Sequence, residues 1–579
     1  MEEEKLPASS IVGMCVIFLF ETIRAFSGAF SLYAQMRFVT LVTESVGIGA
    51  DHRQFAIAAF LLLLSFLFPS LSYFSAYFKT KVNHRLDKMW DLHMTDMIRR
   101  VPYQQYENES VHDMIHFLSN DNLYILRYSM YITLLTSCIY IGSYLVLLAQ
   151  VSWLLALVII VAGPLVADLT SRFTVKEQQN RYSMSGERRL LSDRSSVLRS
   201  KEYAKEIRTF EANDPLLERW RTSQKEVDGK YLKIKFKYGF RNALVAKSEY
   251  VVIAVNLLIL FWLFLHGRIS AGVFVILSGH MFAIHVMPRI QRAAGVAGRY
   301  REYETKYQEL AALARKERIG SVDSGIVQSS EIIRLENVHF RYPNAENEAV
   351  SGVNLTIRKG ELVALVGENG SGKSTLVKLI TGLYEPAEGT VSIDGINTGE
   401  LRDEDRSRML SVMFQDYARF CLSVDENITL GQSEYHETGA FGIEKIKNKV
   451  SGNGFSVVGT EYSPAMDLSG GEWQKIALAR AMHAEKELIV LDEPTAALDP
   501  AAEISAFEEI RREKPQNSTM LIVTHRLGIA RTADRIVVMD HGSICEIGNF
   551  TELVAQKGLF YTMYESQRKM YRRNSDDKN

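Results

Sequence analysis

Apolar and polar positions divide the chain into two halves with different periods. Between residues 11 and 288 stand six long apolar runs, at roughly 11–43, 54–78, 123–149, 152–171, 247–266 and 270–288. A helix that crosses the hydrocarbon core needs about 20 mostly apolar residues, so each run predicts a membrane span. The strongest is Phe55–Phe78, which contains Leu61-Leu62-Leu63-Leu64-Ser65-Phe66-Leu67-Phe68. Three connections are short, Thr43–Arg53, Gln150–Ser152 and His266-Gly267-Arg268, whereas Lys79 to about Asp121 and Arg172 to about Ala246 are long, charged and helical in pattern. Each long connection predicts a helix running out, a turn and a helix running back. Arms of up to about 35 residues would reach roughly 50 Å at 1.5 Å per residue. The first turn falls at Pro102-Tyr103-Gln104-Gln105-Tyr106-Glu107, where proline breaks the helix and Asn108-Glu109-Ser110 can cap the next. The second falls at Phe210-Glu211-Ala212-Asn213-Asp214-Pro215, with a further turn expected between Arg199 and Glu206. Core helices of a large soluble protein are the alternative, but one layer would then have to hide six such runs.

The pattern changes after a charged connector, Glu302–Lys316, and a Gly/Ser/Asp-bearing linker, Arg318–Ser330. Short apolar runs now predict buried strands: Ile332–Phe340, Ala349–Ile357, Glu361–Val366, Met413-Phe414, Leu488–Leu491 and Leu521–Val523. Thr375–Ile380 and Lys475–His483 read as helices among them. This organisation predicts an all-α six-helix transmembrane domain over 1–317, a linker over 318–330, an α/β nucleotide-binding domain over 331–570 and a polar tail over 571–579.

Composition changes this picture little. At 579 residues the chain exceeds one core, and a net charge of −1 gives no basic field that would favour nucleic acid as a partner. Cys15, Cys138, Cys421 and Cys545 lie far apart, supporting neither a zinc site nor a disulfide framework. The start, Met-Glu-Glu-Glu-Lys, is acidic and makes a poor signal-peptide opening, so the first run is expected to be retained as a span. Clusters in the long connections (Lys79, Lys81, Arg85, Lys88, Arg99 and Arg100, then Arg188, Arg189, Arg194, Arg199, Lys201, Lys205 and Arg208) place both on the cytoplasmic side, and both termini with them. Inside the first span, Glu21 and Arg24 share a helix face and Arg37 follows, which reads either as a polar translocation cavity or as an internal ion pair.

The candidate chemistry centres on Gly367-Glu368-Asn369-Gly370-Ser371-Gly372-Lys373-Ser374, a complete G-x-x-x-x-G-K-[ST] between a strand and the helix beginning near Thr375. Its glycines let successive N–H groups turn toward one anion at the positive end of a helix. Lys373 would reach the outer phosphates of ATP, and the Ser374 hydroxyl would face Mg2+. Tyr342 could stack on adenine. Leu488–Leu491 closes on Asp492, read as a metal ligand through water, and Glu493, read as the group that orients and activates the attacking water. Two further strands end in His525, facing the γ-phosphate, and Gln415, facing metal and water. Leu468-Ser469-Gly470-Gly471-Glu472-Trp473-Gln474 opens a helix with Ser469 as N-cap, a second anion site that one nucleotide in one chain does not need. Two chains head to tail would use both.

The phosphate loop, Gln415, Leu468–Gln474, Leu488–Glu493, Ala497-Leu498-Asp499 and His525 occur in the order seen in ABC transporter ATPases. With six spans ahead of them, the chain resembles an ABC exporter half-transporter. That resemblance implies that Tyr342 meets adenine, that Gln415 senses the membrane domain, and that Ser469–Glu472 closes the ATP site of a second chain. It also implies that Ala497–Asp499 crosses the dimer interface and that the turns near Tyr106 and Arg208–Asp214 are coupling helices. Phe414–Phe420 and the Gly-Gly-Glu-Trp-Gln-Lys variant resemble exporters of bacterial peptide or lantibiotic pathways. No leader-trimming peptidase is expected before the first span, and Thr460–Met466 departs from the glycine-rich segment usual before the signature. The expectation is ATP-driven export of a peptide, lipid or hydrophobic compound by a homodimer, or a heterodimer, in the cytoplasmic membrane. The rival readings are an ATP-gated channel or receptor and an ABC ATPase without transport.

Overall fold

The computed structural model describes the chain except residues 1–7, 46–52, 54–55, 58, 62, 64–70, 282–285, 315–329, 344, 402, 431–439, 460–464, 484–485, 496–499 and 577–579. It separates into two compact units, residues 1–101 with 105–315, and Pro102–Gln104 with Lys316–Asn579.

The first unit is helical, and among the described residues five helices are long and apolar enough to cross a membrane. They contain the apolar runs beginning at 11, 123, 152, 247 and 270, whereas part of the run 54–78 lies outside the described residues and its end, from Leu71, belongs to the helix Leu71–Arg100. Side chains such as Val161, Leu165 and Leu258 are more than 60 % exposed, the surface that a lipid-facing helix presents. Inside, Leu123–Val151 packs on Ala8–Ser45 and Val286–Ala314, and Trp153–Tyr182 packs on Val286–Ala314 and Asn213–Leu265. Their shared core gathers Leu32, Leu148, Leu155, Leu260 and Leu277. Asn213–Leu265 is one helix of 53 residues, about 80 Å at 1.5 Å per residue. Its charged half and its apolar half are thus continuous, because helical hydrogen bonding is indifferent to the polarity of the side chains.

At the first turn the helix Leu71–Arg100 stops before Pro102, and the Asn108 side chain accepts from the Ser110 N–H to start Glu109–Leu118. At the second, Lys201–Thr209 ends and Asn213 begins the long helix. The further turn expected between Arg199 and Glu206 is only a break at Ser200; the chain is already helical again from Lys201.

Among the described residues the second unit holds ten strands in two sheets. An antiparallel sheet has the order β2-β1-β4-β5, from β1 (Glu331–Phe340), β2 (Val350–Arg358), β4 (Glu388–Ile393) and β5 (Ile396–Asn397). The larger has the order β10-β9-β3-β8-β7-β6, from β3 (Leu362–Gly367), β6 (Leu410–Met413), β7 (Leu488–Asp492), β8 (Thr519–Val523), β9 (Arg535–Asp540) and β10 (Ser543–Gly548). β3, β6, β7, β8 and β9 run parallel, and every residue of β3, β7 and β8 is buried. Strands covered on both faces read as unbroken apolar runs, which is how they stand in the sequence. Parallel strands also end on one edge, and that edge carries the site. Within this unit the Tyr103 ring lies 6.0 Å from the Tyr384 ring, and the Gln104 side chain accepts from the Glu385 N–H.

Candidate functional site

Four strands deliver the singled-out residues to the same edge. β3 leads into the glycine loop, β6 is followed by Gln415, β7 ends in Asp492 with Glu493 next, and β8 is followed by Thr524 and His525. The glycines are there for space. A Cβ on Gly367 would sit 2.3 Å from the Met539 carbonyl oxygen, and one on Gly372 would sit 2.4 Å from that of Ala349. Gly370, at φ 83, meets nothing and faces open space. The loop therefore presses its backbone against β9 and the residue before β2 on one side and leaves its concave side clear, where N–H groups at the start of helix Lys373–Ile380 can hold an anion.

Lys373 is buried at 6 % exposure, and its Nζ donates to the carbonyls of Gly367 (2.9 Å) and Glu368 (2.7 Å) and to the Ser371 hydroxyl (3.3 Å). Burial lowers its pKa, while Glu493 and Asp492 oppose that shift. Asp492 is 4 % exposed and shows the opposite effect: burial, then repulsion from Glu493, raises its carboxyl to about 6, partly offset by a hydrogen bond from Ser374. Its Oδ1 has no hydrogen-bond partner. A buried, orphaned carboxylate oxygen beside a serine hydroxyl is a hard oxygen donor set, and it fits Mg2+. That cation would also neutralise a charge which is otherwise costly to bury.

Glu493 occupies a left-handed backbone position, φ 49, unusual for a residue other than glycine, asparagine or aspartate. Its N–H donates to the Val523 carbonyl, anchoring the bend to β8. The carboxylate is held from both sides, with His525 Nδ1 2.9 Å from Oε1 and Gln415 Nε2 donating to Oε2 at 3.3 Å. Two residues 110 positions apart in the chain thus converge on one carboxylate. Tyr342 meets Phe340 and Tyr384 edge to face at 5.1 and 5.7 Å, and its hydroxyl lies 3.1 Å from that of Thr375 in the helix after the loop.

Ser469 and Glu472 form a reciprocal cap: the Glu472 N–H donates to Ser469 Oγ, and Glu472 Oε2 accepts from the Ser469 N–H and hydroxyl. With Lys449 also bonded to it, the Glu472 carboxyl stays below its usual range although burial pulls it upward. The helix they open begins at Gly470, so both glycines lie in its first turn rather than ahead of it. Tyr417 Oη donates to the Gly470 carbonyl, and Gln474 Nε2 donates to that of Pro494, so this helix is tied to the segments carrying Gln415 and Glu493. Ala497–Asp499 and Glu461 lie outside the described residues.

Two contributors escaped the sequence reading. Arg480 donates to the carbonyls of Ala418 and Asn427 and so holds the segment after Gln415. Gln567, on the helix Leu559–Asp576, donates to the His525 carbonyl at 2.5 Å and accepts from the Leu527 N–H at 3.0 Å. One amide therefore clamps the backbone on both sides of Arg526. A glutamine on an amphipathic helix carries no motif; only its partner in space reveals it.

Residues 350–496 match the family described as ABC transporter. The subtilin transport ATP-binding protein SpaT of Bacillus subtilis is 39 % identical over 253 residues, 42 % of this chain and 41 % of that one. The nisin transport ATP-binding protein NisT of Lactococcus lactis subsp. lactis is 26 % identical over 559 residues, 90 % of this chain and 88 % of that one. Among solved structures, a bacterial Atm1-family ABC exporter with ATP bound superposes with a TM-score of 0.75 at 19 % identity, covering 96 % of this chain and 98 % of that one.

Proposed function

The chain is an ABC transporter, an ATP hydrolase coupled to transmembrane transport, and from that premise we propose that it exports a peptide, lipid or hydrophobic substrate as a dimer. Its place would be the cytoplasmic membrane, with both termini inside. The observation that carries the ATP chemistry is the Glu493 carboxylate, held between Gln415 and His525 beside the buried Lys373.

In this reading the glycine loop and Lys373 bind the phosphates, and Tyr342 supports the adenine. Phosphate arrival would replace the loop carbonyls and Ser371 as partners of the Lys373 amine. Mg2+, held by Ser374, Asp492 and Gln415, would supply charge neutralisation on the phosphates. Glu493 accepts a proton from the attacking water while Gln415 and His525 fix its direction, so that little motion is needed at the moment of reaction. His525 also presents a donor toward the γ-phosphate.

Ser469–Glu472 would serve the ATP of a second chain. Their bonds within this chain fix the start of the helix and leave the N–H groups of Gly470 and Gly471 for an anion. A homodimer could build two complete sites, since Lys373, Asp492, Glu493, Ser469 and His525 are all present, and an intact chain can also pair with a degenerate one. The turns near Tyr103 and Phe210 would pass the closure of the two ATPase units to the long helices.

Inside-out vesicles that contain the full chain test the reading with a panel of labelled peptides, lipids and hydrophobic dyes. ATP-dependent accumulation against a gradient is expected. Downhill movement alone would favour a gated channel, and hydrolysis without any movement would favour an ATPase that does not transport.

A further inference from the structure

The helical unit encloses a cavity of about 150 Å³ between the helices Ala8–Ser45, Leu71–Arg100, Leu123–Val151 and Val286–Ala314. Four cations line it, Arg24, Lys79, Arg289 and Arg292, against a single acid, Glu21. That acid is already engaged, paired with Arg24 and accepting the Ser75 hydroxyl at 2.8 Å. Arg289 lies 4.6 Å above the Tyr140 ring, a contact that steers its guanidinium without cancelling the charge. Lys79, Arg289 and Arg292 form no ion pair among the described residues. The apolar run 54–78 contains neither Asp nor Glu, so that stretch brings no counter-charge. One more group is unfulfilled: Tyr128 is 9 % exposed, lines the cavity, and buries a hydroxyl with no partner.

Position along the helices sets the depth. Lys79 follows directly on the run 54–78, and Arg289 and Arg292 follow on the run 270–288. Lys79, Arg289 and Arg292 therefore stand where apolar helix gives way to charged helix, the level at which lipid head groups lie, whereas Arg24 lies within the run 11–43. Basic sites between membrane helices at that level suit anionic head groups, and ionisable side chains at membrane depth face a cavity or a partner rather than lipid. The volume also discriminates, because cavities that enclose a whole drug-sized molecule run to roughly 300–1,000 Å³. This one has room for a head group whose tail remains outside.

We propose that this cavity binds the anionic head group, a phosphate or a carboxylate, of an amphiphile. Arg289 offers a planar fork matched to two oxygens of such a group, Lys79 and Arg292 add charge, and the Tyr128 hydroxyl adds a donor. Glu21 holds Arg24 in place and keeps the wall from being wholly cationic. The same chemistry could come from a phospholipid resident in the bilayer or from an amphiphile carried as cargo. The site rests on the membrane reading of the helical unit, but its binding step does not require export.

The test uses the full chain in phosphatidylcholine nanodiscs, titrated with dodecyl phosphate and, separately, with zwitterionic dodecylphosphocholine. Dodecyl phosphate should bind at least tenfold more tightly. Arg289→Gln should weaken it at least tenfold, and Arg289→Lys, which keeps the charge but loses the two-pronged fork, should weaken it by an intermediate amount. Equal affinities for the two probes, or equal effects of the two variants, would overturn the proposal. The two sources separate in further arms. Competition by added phosphatidylglycerol, without ATP-driven accumulation of dodecyl phosphate in inside-out vesicles, assigns the site to a resident lipid; accumulation assigns it to cargo. Loss of head-group binding with ATP-driven transport intact removes this site alone, whereas binding without transport of any panel compound counts against the export reading.

Discussion

The polar residues of the two units are treated in opposite ways. In the ATPase unit nearly every singled-out polar group is held by another: Glu493 by Gln415 and His525, His525 by Gln567, and Ser469 by Glu472. In the helical unit Lys79, Arg289 and Arg292 face a cavity with one acid among them, and that acid is engaged elsewhere. A site that must perform the same chemistry on the same phosphates in every cycle benefits from geometry fixed in advance. A site for a head group can leave charges to be completed by what binds. On the proposed readings, the contrast separates a catalyst from a receptor within one chain.

The sharpest way to break it lies at the fixed end. Glu493→Gln should keep nucleotide affinity within about threefold while phosphate release falls roughly 10²–10⁴-fold, the usual contribution of a general base. Near-normal turnover would mean that the two-sided clamp on Glu493 serves the fold rather than the reaction. Next in size is Gln567→Leu, expected to lower kcat roughly tenfold with KM for ATP unchanged, because a small misplacement of a catalytic group is enough. Gln567→Glu keeps the acceptor for the Leu527 N–H and loses the donor to the His525 carbonyl, so it should fall between. If KM and kcat move together, Gln567 is a packing residue only.

A smaller effect comes from pH. The Asp492 carboxyl, raised from 3.8 to about 6, holds its proton more tightly in the folded chain than in the unfolded one. Folding therefore gains as pH falls from about 6 toward 4 and loses that gain as pH rises through the same window. A proton and Mg2+ compete for the same oxygens, so the Mg2+ concentration that half-saturates hydrolysis should climb as pH drops through about 6. A flat requirement between pH 7.5 and 5.5 would detach Asp492 from the metal. The smallest change belongs to the helical unit: Asn108→Ala removes the side-chain cap of Glu109–Leu118 and should cost about 1 kcal/mol, read as faster amide exchange in that helix with hydrolysis unaffected.

The same contrast explains what was legible in the sequence. The phosphate loop and the strand ends are local patterns, and parallel strands with their ends on one edge turn four local patterns into one site. Arg480 and Gln567 act on backbone segments far from them in sequence, through ordinary side chains on ordinary helices, so no local pattern marks them. In the helical unit apolar length matched five of the six expected spans among the described residues, but polarity misplaced the ends of helices. Asn213–Leu265 crosses from charged to apolar without interruption, and Lys201–Thr209 is helical where a turn was expected. Glu21 and Arg24 were visible as neighbours on one face; the excess of positive charge around them arises only when four helices meet.

The position of β3 has a consequence for how the protein is made. β3 lies between β8 and β9, yet the chain that forms β8 is synthesised about 150 residues later. At ~5–20 residues per second, that delay is on the order of 8–30 s. Throughout it, the six buried residues Leu362–Gly367 lack the neighbours that cover their edges. A ribosome stalled after β7 would leave an apolar strand with two open sides, a template for pairing with another chain. Chaperone demand should therefore peak late in translation of the second unit, and truncated products ending before β8 should be the ones that aggregate.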